Sequence, residues 1–329
     1  MEKEPVTLQE AVIYFANPDN CIDYVAIRRW PDGVICPMCG SKKVSQFNAK
    51  RRTWKCGSHH SKREFSVKVG TIYEDSPISL DKWLMATWML TNCKNGISSY
   101  EIAKAIGITQ KSAWFVLHRV RLAMQDESFG AKLGGEGEVE VDETFVGGKF
   151  QNMHKDKKEA VQRLANDVPR WQNPERFPGK TAVIGILDRD LRKVRAKVVP
   201  DVKRETLQAE ILNQVEFGTK LYSDDAVAYN ELASLYVHEV VNHAEEYVRG
   251  RVHTNGLENF WSLFKRTLRG TYVAVEPFHL DRYVDEQVFR FNYRRDGERK
   301  MTDAERFSLV VSQIVGKRLT FAQLTGKPN

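Results

Sequence analysis

Three acidic residues, far apart in the chain, are of the types that hold divalent metal ions. Asp142 lies at the end of the β-rich run EVEVD, and Asp224 ends the run LYSD in the same way. A carboxylate at the end of a strand projects into the crevice where open sheets bind ligands. Glu258 and Lys265 lie two turns apart on one face of a predicted helix, beside its apolar stripe. Two Asp and one Glu can hold two Mg²⁺ ions, which activate water or a hydroxyl for in-line displacement at phosphorus.

Each of these residues also has a structural interpretation. Asp142 and Asp224 are equally typical of turn caps, and Glu258 could form a surface salt bridge with Lys265, worth under about 1 kcal/mol. The order Asp, Asp and Glu-x6-Lys along alternating strands and helices favours the metal site. In that site, Lys265 would touch a phosphate as a point charge.

A second set of metal-ligand types lies near the start of the chain. Cys36-Pro-Met-Cys39 and Cys56-Gly-Ser-His59 form two tight knuckles, and zinc prefers four such ligands in a tetrahedron. A CxxC pair is also typical of redox proteins, but no thioredoxin-like βαβ pattern surrounds this one. We therefore predict one structural Zn²⁺ held by Cys36, Cys39, Cys56 and His59, with His60 as an alternative to His59.

The segment from Ser98 to Trp114 has the pattern helix, glycine-containing turn, helix. Such a helix-turn-helix places the first residues of its second helix in a DNA major groove, with basic side chains near phosphates. The residues predicted to contact DNA in this way are Gln110, Lys111, Ser112, Arg119 and Arg121. A plain helical hairpin is the alternative, because the same apolar side chains would form a core in either case.

The elements that position the acidic residues follow from the hydrophobic pattern. After a glycine-rich linker at 130–138, the predicted order is β-β-β-α-β-α-β-α, which gives a mixed sheet flanked by helices. This is the element order of the ribonuclease H-like fold. Strands are predicted at Val139–Val146, Thr181–Asp188, Val194–Pro200, Lys220–Ser223 and Val237–Val241, and helices at Arg204–Phe217, Val227–Leu235, Leu257–Leu268 and Phe278–Asn292.

The whole pattern predicts a multi-domain α+β chain of four segments. These are an N-terminal helix with a zinc ribbon (1–75), a helix-turn-helix DNA-binding segment (76–130), a ribonuclease H-like mixed α/β catalytic domain (131–295) and a C-terminal helical tail (296–329). A capping box from Thr302 to Glu305 marks the start of a helix in the tail.

The composition is that of a globular chain. Its 329 residues are 42% hydrophobic and 28% charged, and the formal net charge of +7 permits an anionic partner. No run of about 18 apolar residues is present, and the acidic first residues lack the apolar core of a secretory signal. Five cysteines, an odd number, fit a reducing compartment. We therefore expect a cytoplasmic protein with no membrane partner.

Four stretches of the chain resemble a known family. VEVDETFVGGK, LYSDDAVAYNEL, HTNGLENFWSLFKRTLRGTY and HLDRYVDEQVFRFNYRR are similar to insertion-sequence transposases of the DDE type. Among these they resemble the group with an N-terminal zinc ribbon that is related to the Merlin transposons. The segment from CPMCG to IYEDS resembles the ribbon of that group, so the resemblance runs from about residue 20 to about residue 295.

The resemblance implies roles for individual residues. Asp142, Asp224 and Glu258 match the catalytic triad, which would hold two Mg²⁺ or Mn²⁺ ions. Lys265 matches the basic residue that follows the Glu, and Lys265 and Arg266 would contact DNA.

Other positions match or depart from the family pattern. His253 and Asn255 match it, and they would either contact the substrate or form the entry turn of the helix. The chain departs from the pattern at His59, where a fourth ribbon cysteine is usual. Asp225 directly follows Asp224, so the choice of Asp224 rests on its position before the Ala-Tyr pair.

The function implied by the resemblance is that of a transposase. The ribbon and the helical segment would bind terminal inverted repeats, and the catalytic domain would nick the 3′ ends and join them to target DNA. Such a chain would assemble as a homo-oligomer on DNA and would be nucleoid-associated when bound. Two alternatives remain: a DNA-binding regulator with an inactive catalytic domain, and a structure-specific nuclease of the same fold.

Overall fold

The chain forms two compact units. The computed structural model describes residues 3–125, 130–148, 155–156, 158–159, 180–224, 229, 232–241 and 253–326. The first unit comprises Met1–Asp126 together with Tyr293–Asn329, and the second comprises Glu127–Asn292. Within the described ranges, none of the helices has the length and apolar character needed to cross a membrane.

The elements follow one another in this order. The first unit begins with α1 (Leu8–Phe15), α2 (Pro18–Arg29), β1 (Trp54–Lys55), β2 (Glu64–Phe65), α3 (Leu80–Asn92), α4 (Ser99–Ile106) and α5 (Gln110–Met124). The second unit contains β3 (Glu138–Val146), β4 (Thr181–Asp188), β5 (Lys193–Val199), α6 (Arg204–Gln214), β6 (Lys220–Asp224), β7 (Val237–Val241), α7 (Asn255–Thr267) and α8 (Leu280–Asn292). The chain then returns to the first unit with β8 (Arg295–Asp296), β9 (Arg299–Lys300), α9 (Asp303–Ser312) and α10 (Phe321–Thr325).

Local capping explains the helix pair α4 and α5. Ser98 and Glu101 form a reciprocal capping box at the start of α4, and Gly107 ends the helix in the left-handed conformation, with φ +62°. Thr109 then accepts a hydrogen bond from the backbone N–H of Ser112 and starts α5. The helix, turn and helix predicted from the sequence are therefore present.

The C-terminal segment contributes to the core of the first unit. The Phe307 ring on α9 lies 4.9 Å from the ring of Trp88 on α3 and 5.3 Å from that of Tyr24 on α2. It also contacts Phe15 on α1, with the ring centroids 5.7 Å apart. An amphipathic helix must bury its apolar stripe against another element. Helix α9, within the stretch 296–329 that was predicted as a C-terminal helical tail, does this by packing with the first helices of the chain.

The second unit is built on a five-stranded mixed sheet in the order β5-β4-β3-β6-β7. β3, β4 and β5 pair antiparallel, whereas β6 is parallel to β3 and β7 is parallel to β6. The five predicted strands are present with bounds shifted by at most one residue. Four of the nine residues of the predicted helix at 227–235 lie outside the described residues, and the described part contains a 3₁₀ turn at Leu232–Ser234.

Side-chain alternation on β3 sends apolar and acidic residues to opposite faces. Val139 and Val141 pack with α6 in one apolar cluster. The other face of the sheet is covered by α7 and α8, whose apolar stripes form a second cluster. Because strand residues alternate, Glu138, Glu140 and Asp142 face α7. These carboxylates therefore need partners within the unit.

Candidate metal centres

Three cysteines and one histidine come together on the hairpins that follow α2. The possible ligand atoms of Cys36, Cys39, Cys56 and His60 all lie within 4.8 Å of one another. Cys36 Sγ lies 3.4 Å from His60 Nε2, and Cys39 Sγ lies 3.6 Å from Cys56 Sγ. Three thiols and one imidazole are a donor set that suits tetrahedral zinc.

The fourth member of this cluster corrects the choice of His59. The backbone N–H of Ser58 donates to Cys56 Sγ at 3.4 Å. This hydrogen bond closes the turn after Cys56, and both histidines follow that turn. His59 is exposed, and His60 lies beside Cys36. The alternative left open by the sequence, His60, is therefore the residue that the structure places with the cysteines.

The surroundings of Cys56 favour the thiolate form that zinc requires. Burial acts to raise the pKa of the Cys56 thiol, but the hydrogen bonds from His60, the Ser58 N–H and the neighbouring cysteines lower it to about 6. Zinc binds the thiolate rather than the thiol. The Cys₃His cluster and its surroundings thus fit a structural zinc.

A second cluster lies where β3 and β6 separate. The parallel pairing of the two strands covers Glu138–Glu140 and Lys220–Tyr222, so Asp142 and Asp224 lie just beyond it. Carboxylate oxygens of Asp142, Glu143 and Asp224 lie within 4.8 Å of one another. The structure therefore brings together the two aspartates selected from the sequence.

Burial and mutual repulsion perturb these carboxylates. Burial, and then the charge of Asp224, raise the pKa of Asp142 to about 7. Burial likewise raises the pKa of Glu143 to about 8, against the opposing effect of a hydrogen bond from the Tyr229 hydroxyl. Like charges in a partly desolvated site disfavour ionisation, and a divalent cation would relieve this cost. The hard oxygen donors are of the kind that Mg²⁺ and Mn²⁺ prefer.

Sequence reasoning did not assign Glu143 to this site. Strict alternation sends neighbouring residues of a strand to opposite faces, and Tyr229, the partner of Glu143, belongs to the apolar cluster on the α6 face. The carboxylates of Asp142 and Glu143 nevertheless both reach Asp224, because β6 no longer pairs with β3 at this point. No periodicity in the sequence signals such a local separation of strands.

Glu258 lies outside the three-carboxylate cluster but within its electrostatic reach. It is exposed in the first turn of α7, and its charge is among the causes that raise the pKa of Asp142. Lys265, two turns later, is half-buried: burial lowers its pKa and the negative charge of Asp142 opposes that effect. Arg266 is exposed beside it. Asp225 lies outside the described residues.

A glycine lets α7 approach the cluster closely. Gly185 on β4 pairs with Asp142 on β3. A Cβ atom at Gly185 would lie 2.5 Å from the indole Cζ2 of Trp261. The missing side chain therefore leaves room for the Trp261 ring, which reaches Asp142 with its Nε1.

The residues before α7 have a structural role in this chain. The His253 carbonyl accepts a hydrogen bond from Arg189, and His253 Nδ1 lies 2.9 Å from Arg189 Nη2. Thr254 is the N-cap residue, but its side chain makes no capping hydrogen bond. Asn255 is exposed at the first position of the helix.

The prediction that Arg119 and Arg121 lie near DNA phosphates is contradicted by their burial. The two side chains are only 3% and 1% exposed. Arg119 Nη2 donates to the Glu74 carbonyl at 2.6 Å, and its guanidinium lies over the Trp83 ring. Helical periodicity places Arg119 on the same face as the buried Val116, so that it occupies a core position of α5.

The first turn of α5 remains accessible. Lys111 is exposed, with its Nζ 4.8 Å from the centre of the Phe321 ring on α10. Gln110 Nε2 donates to Ser99 Oγ at 2.8 Å, and Ser112 is half-buried. Of the predicted DNA-contacting residues on α5, these three are the ones that the structure leaves at least partly open.

Comparisons with known proteins match transposase domains to the segments that hold the three cysteines and the carboxylate cluster. Residues 132–292 match the ISXO2-like transposase domain, and residues 16–59 match the transposase zinc-ribbon domain. The chain is also 26% identical over 291 residues to a Halobacterium salinarum protein described as an uncharacterized protein in transposable element ISH50. That match covers 86% of this chain and 94% of the relative.

Both domain matches are to proteins that move DNA. These matches confirm the resemblance to insertion-sequence transposases with a zinc ribbon that was found in the motifs of the chain. Domains of these two kinds imply DNA binding and a nuclease or transposase activity.

Proposed function

We propose that this chain is the DNA transposase of an insertion sequence, binding terminal inverted repeats, nicking their 3′ ends and joining these ends to target DNA. The observation that carries the proposal is the meeting of Asp142 and Asp224 within one carboxylate cluster. The cluster lies just beyond the parallel pairing of β3 with β6, at the middle of β3 and the end of β6, inside the segment that matches the transposase domain. The sheet order, with β3 central between antiparallel and parallel neighbours, supports the assignment of a ribonuclease H-like fold.

Asp142 and Asp224, with Glu258 on α7, would hold the metal ions. Two Mg²⁺ or Mn²⁺ ions, when bound, would supply the Lewis acidity that activates water or a 3′-hydroxyl and stabilises the leaving oxygen. Asp142 is already oriented for this role, because its two oxygens accept hydrogen bonds from the Glu143 N–H and from Trp261. Lys265 places a positive charge near Asp142, where a DNA phosphate would lie.

The first unit would recognise DNA. One zinc held by Cys36, Cys39, Cys56 and His60 would fix the ribbon, and the first turn of α5 would contact the terminal repeats. We propose further that the chain works as a homo-oligomer assembled on two element ends.

The test is a cleavage and joining reaction with the full chain. The substrate carries the inverted repeats read from the DNA that flanks the gene, and Mg²⁺ or Mn²⁺ is supplied. We expect nicks at the 3′ ends of the element and joined products with target DNA. Cutting without joining would favour the structure-specific nuclease, and binding without cutting would favour the inactive regulator.

A further inference from the structure

Two buried glutamates on β3 share one arginine. Glu138 is 7% and Glu140 is 1% exposed, and both face α7. Arg189, the residue after β4, lies between them: its Nε is 2.7 Å from Glu140 Oε1 and its Nη1 is 3.2 Å from Glu138 Oε2. The guanidinium lies 4.4 Å from the ring centre of Tyr222, which holds it from the β6 side. The two glutamates are therefore paired within the unit.

The same network caps helix α7. Glu140 Oε2 accepts a hydrogen bond from the backbone N–H of Leu257 at 2.9 Å, and Arg189 donates to the carbonyl of His253. The first N–H groups of a helix have no partner within the helix, and a negative charge at this end is favourable. Because the N-cap Thr254 makes no side-chain cap, a strand carboxylate takes over this function.

The spacing of strand and helix allows two anchors at once. Leu257 is bound at Glu140, and Trp261 donates to Asp142 at 3.0 Å. Two residues along a strand span about 6.6 Å, and four residues along a helix span about 6 Å. The two contacts can therefore form together only in one axial register of α7. Glu258, the residue after Leu257, has its position fixed by that register.

A glycine makes the first anchor possible. A Cβ atom at Gly256 would lie 2.8 Å from Glu140 Oε2 and 2.2 Å from Leu187 Cδ2. Any side chain at this position would push the start of α7 away from β3 and β4. The close approach at Gly256 thus complements the one at Gly185.

We propose that Glu140, held by Arg189, is a positioning residue that sets where Glu258 and Lys265 lie relative to Asp142. The inference rests on the proposed function, since it assigns Glu258 to the metal site. Glu140 and Arg189 act through α7 and not on the reacting atoms. Loss of such an outer partner typically lowers metal affinity by 10-fold to 100-fold.

The test compares Glu140→Gln with Glu210→Gln in the full chain. Glu210 is a matched control because its carboxylate also accepts hydrogen bonds, from Lys197 and Gln214, and because Glu210 belongs to neither metal-ligand cluster. For each variant, Mn²⁺ binding is measured by calorimetry, and hydrogen exchange is measured for peptides covering 255–261. We expect Glu140→Gln to weaken Mn²⁺ binding about tenfold and to speed exchange in α7, whereas Glu210→Gln changes neither.

Gly256→Ala is the second variant, because it displaces α7 without removing a charge. It should reproduce both effects, and combining it with Glu140→Gln should add little, since both changes release the same anchor. If α7 exchanges faster while Mn²⁺ affinity is unchanged, the network is only structural and the inference is wrong. Weaker Mn²⁺ binding with unchanged exchange would also overturn it. If the wild-type chain binds Mn²⁺ but cleaves no DNA, the proposed function fails and the positioning role stands.

Discussion

The indole Nε1 of Trp261 donates a hydrogen bond to Oδ2 of Asp142 across 3.0 Å. The other oxygen, Oδ1, accepts the backbone N–H of Glu143 at 2.9 Å. Two fixed donors on one carboxylate define its rotamer before any ion arrives. A pre-oriented ligand of this kind reduces the ordering that binding would otherwise require.

Removing the indole N–H tests this pre-orientation. Trp261→Phe keeps an aromatic ring over Gly185 but cannot donate to Asp142, and we expect it to lower both stability, by about 1 kcal/mol, and the rate of nicking. Trp83→Phe is the matched control, because Trp83 Nε1 donates to Ser76 Oγ at 3.1 Å in the first unit. Chemical denaturation and nicking assays on both variants check this. Equal nicking rates in the two variants would contradict the role given to Trp261.

Replacing each carboxylate by its amide should distinguish the metal ligands from the acidic residues beside them. Asp142→Asn and Asp224→Asn should each abolish nicking, and the double variant should be little worse, because the residues act as one unit. We expect Glu258→Gln to abolish nicking as well. Glu143→Gln should retain part of the activity, since Tyr229 already engages the Glu143 carboxylate.

These variants should all keep their affinity for terminal DNA, which is measured by gel shift. The opposite result, with Glu143→Gln inactive and Glu258→Gln active in nicking, would identify Glu143 as the third metal ligand.

The metal-free carboxylate cluster should make stability depend on pH. Burial and the charge of Asp224 raise the pKa of Asp142 from 3.8 to about 7. Between these two pH values, the Asp142 carboxyl keeps its proton in the folded chain and has lost it in the unfolded chain. Its contribution to the free energy of unfolding is complete below about pH 4 and is lost as the pH rises towards about 7. Thermal unfolding of the zinc-loaded chain without added Mg²⁺ or Mn²⁺ should therefore show a midpoint that falls over this range. Asp142→Asn should flatten the fall, and an equal slope in wild type and variant would be evidence against it.

Two adjacent histidines provide a matched test of the zinc site. His60→Ala should lose the bound zinc and destabilise the first unit, because structural zinc contributes directly to folding. His59→Ala should keep one zinc per chain, since His59 is exposed. Metal analysis of the purified variants by mass spectrometry measures both outcomes. Retention of zinc by His60→Ala would exclude His60 as a ligand.

Two basic residues on α5 should behave differently. Lys111→Ala should weaken binding to the element ends and reduce the salt dependence of binding by about one unit of slope, as expected for one lost phosphate contact. Arg119→Ala should instead cost stability, by about 1–3 kcal/mol, because Arg119 is buried and bonded to the Glu74 carbonyl. Binding isotherms at several salt concentrations and denaturation curves distinguish the two effects.

The sequence predicted the strands of the sheet, because alternation and strand boundaries are local properties. It placed Asp224 correctly at the end of its strand, but Asp142 lies in the middle of β3 and not at its end. It missed Glu143, since its approach to Asp224 depends on where β6 stops pairing with β3. It also offered Arg119 as a surface residue. A charged side chain gives no sign, in one sequence, that a carbonyl and an aromatic ring will cover it.

The partners of Glu140 could not be predicted from the sequence either. Its position on the inward face of β3 follows from alternation, but Arg189 and Leu257 are distant in the chain. The pairing of β3 with β4 brings Arg189 to Glu140, and the packing of α7 on the sheet adds Leu257. The choice between His59 and His60 likewise depended on the conformation of a short turn, which residue spacing does not determine.

The placement of Phe307 has a consequence for how the protein is made. The ring belongs to the core formed with Trp88 and Tyr24, yet the ribosome reaches codon 307 only after the entire second unit has been synthesised. Domains generally fold as they emerge, with the N-terminal part first. The second unit is therefore complete before the first unit can close its core. Under the proposed function, a nascent chain would assemble its carboxylate cluster before the unit that is proposed to recognise DNA.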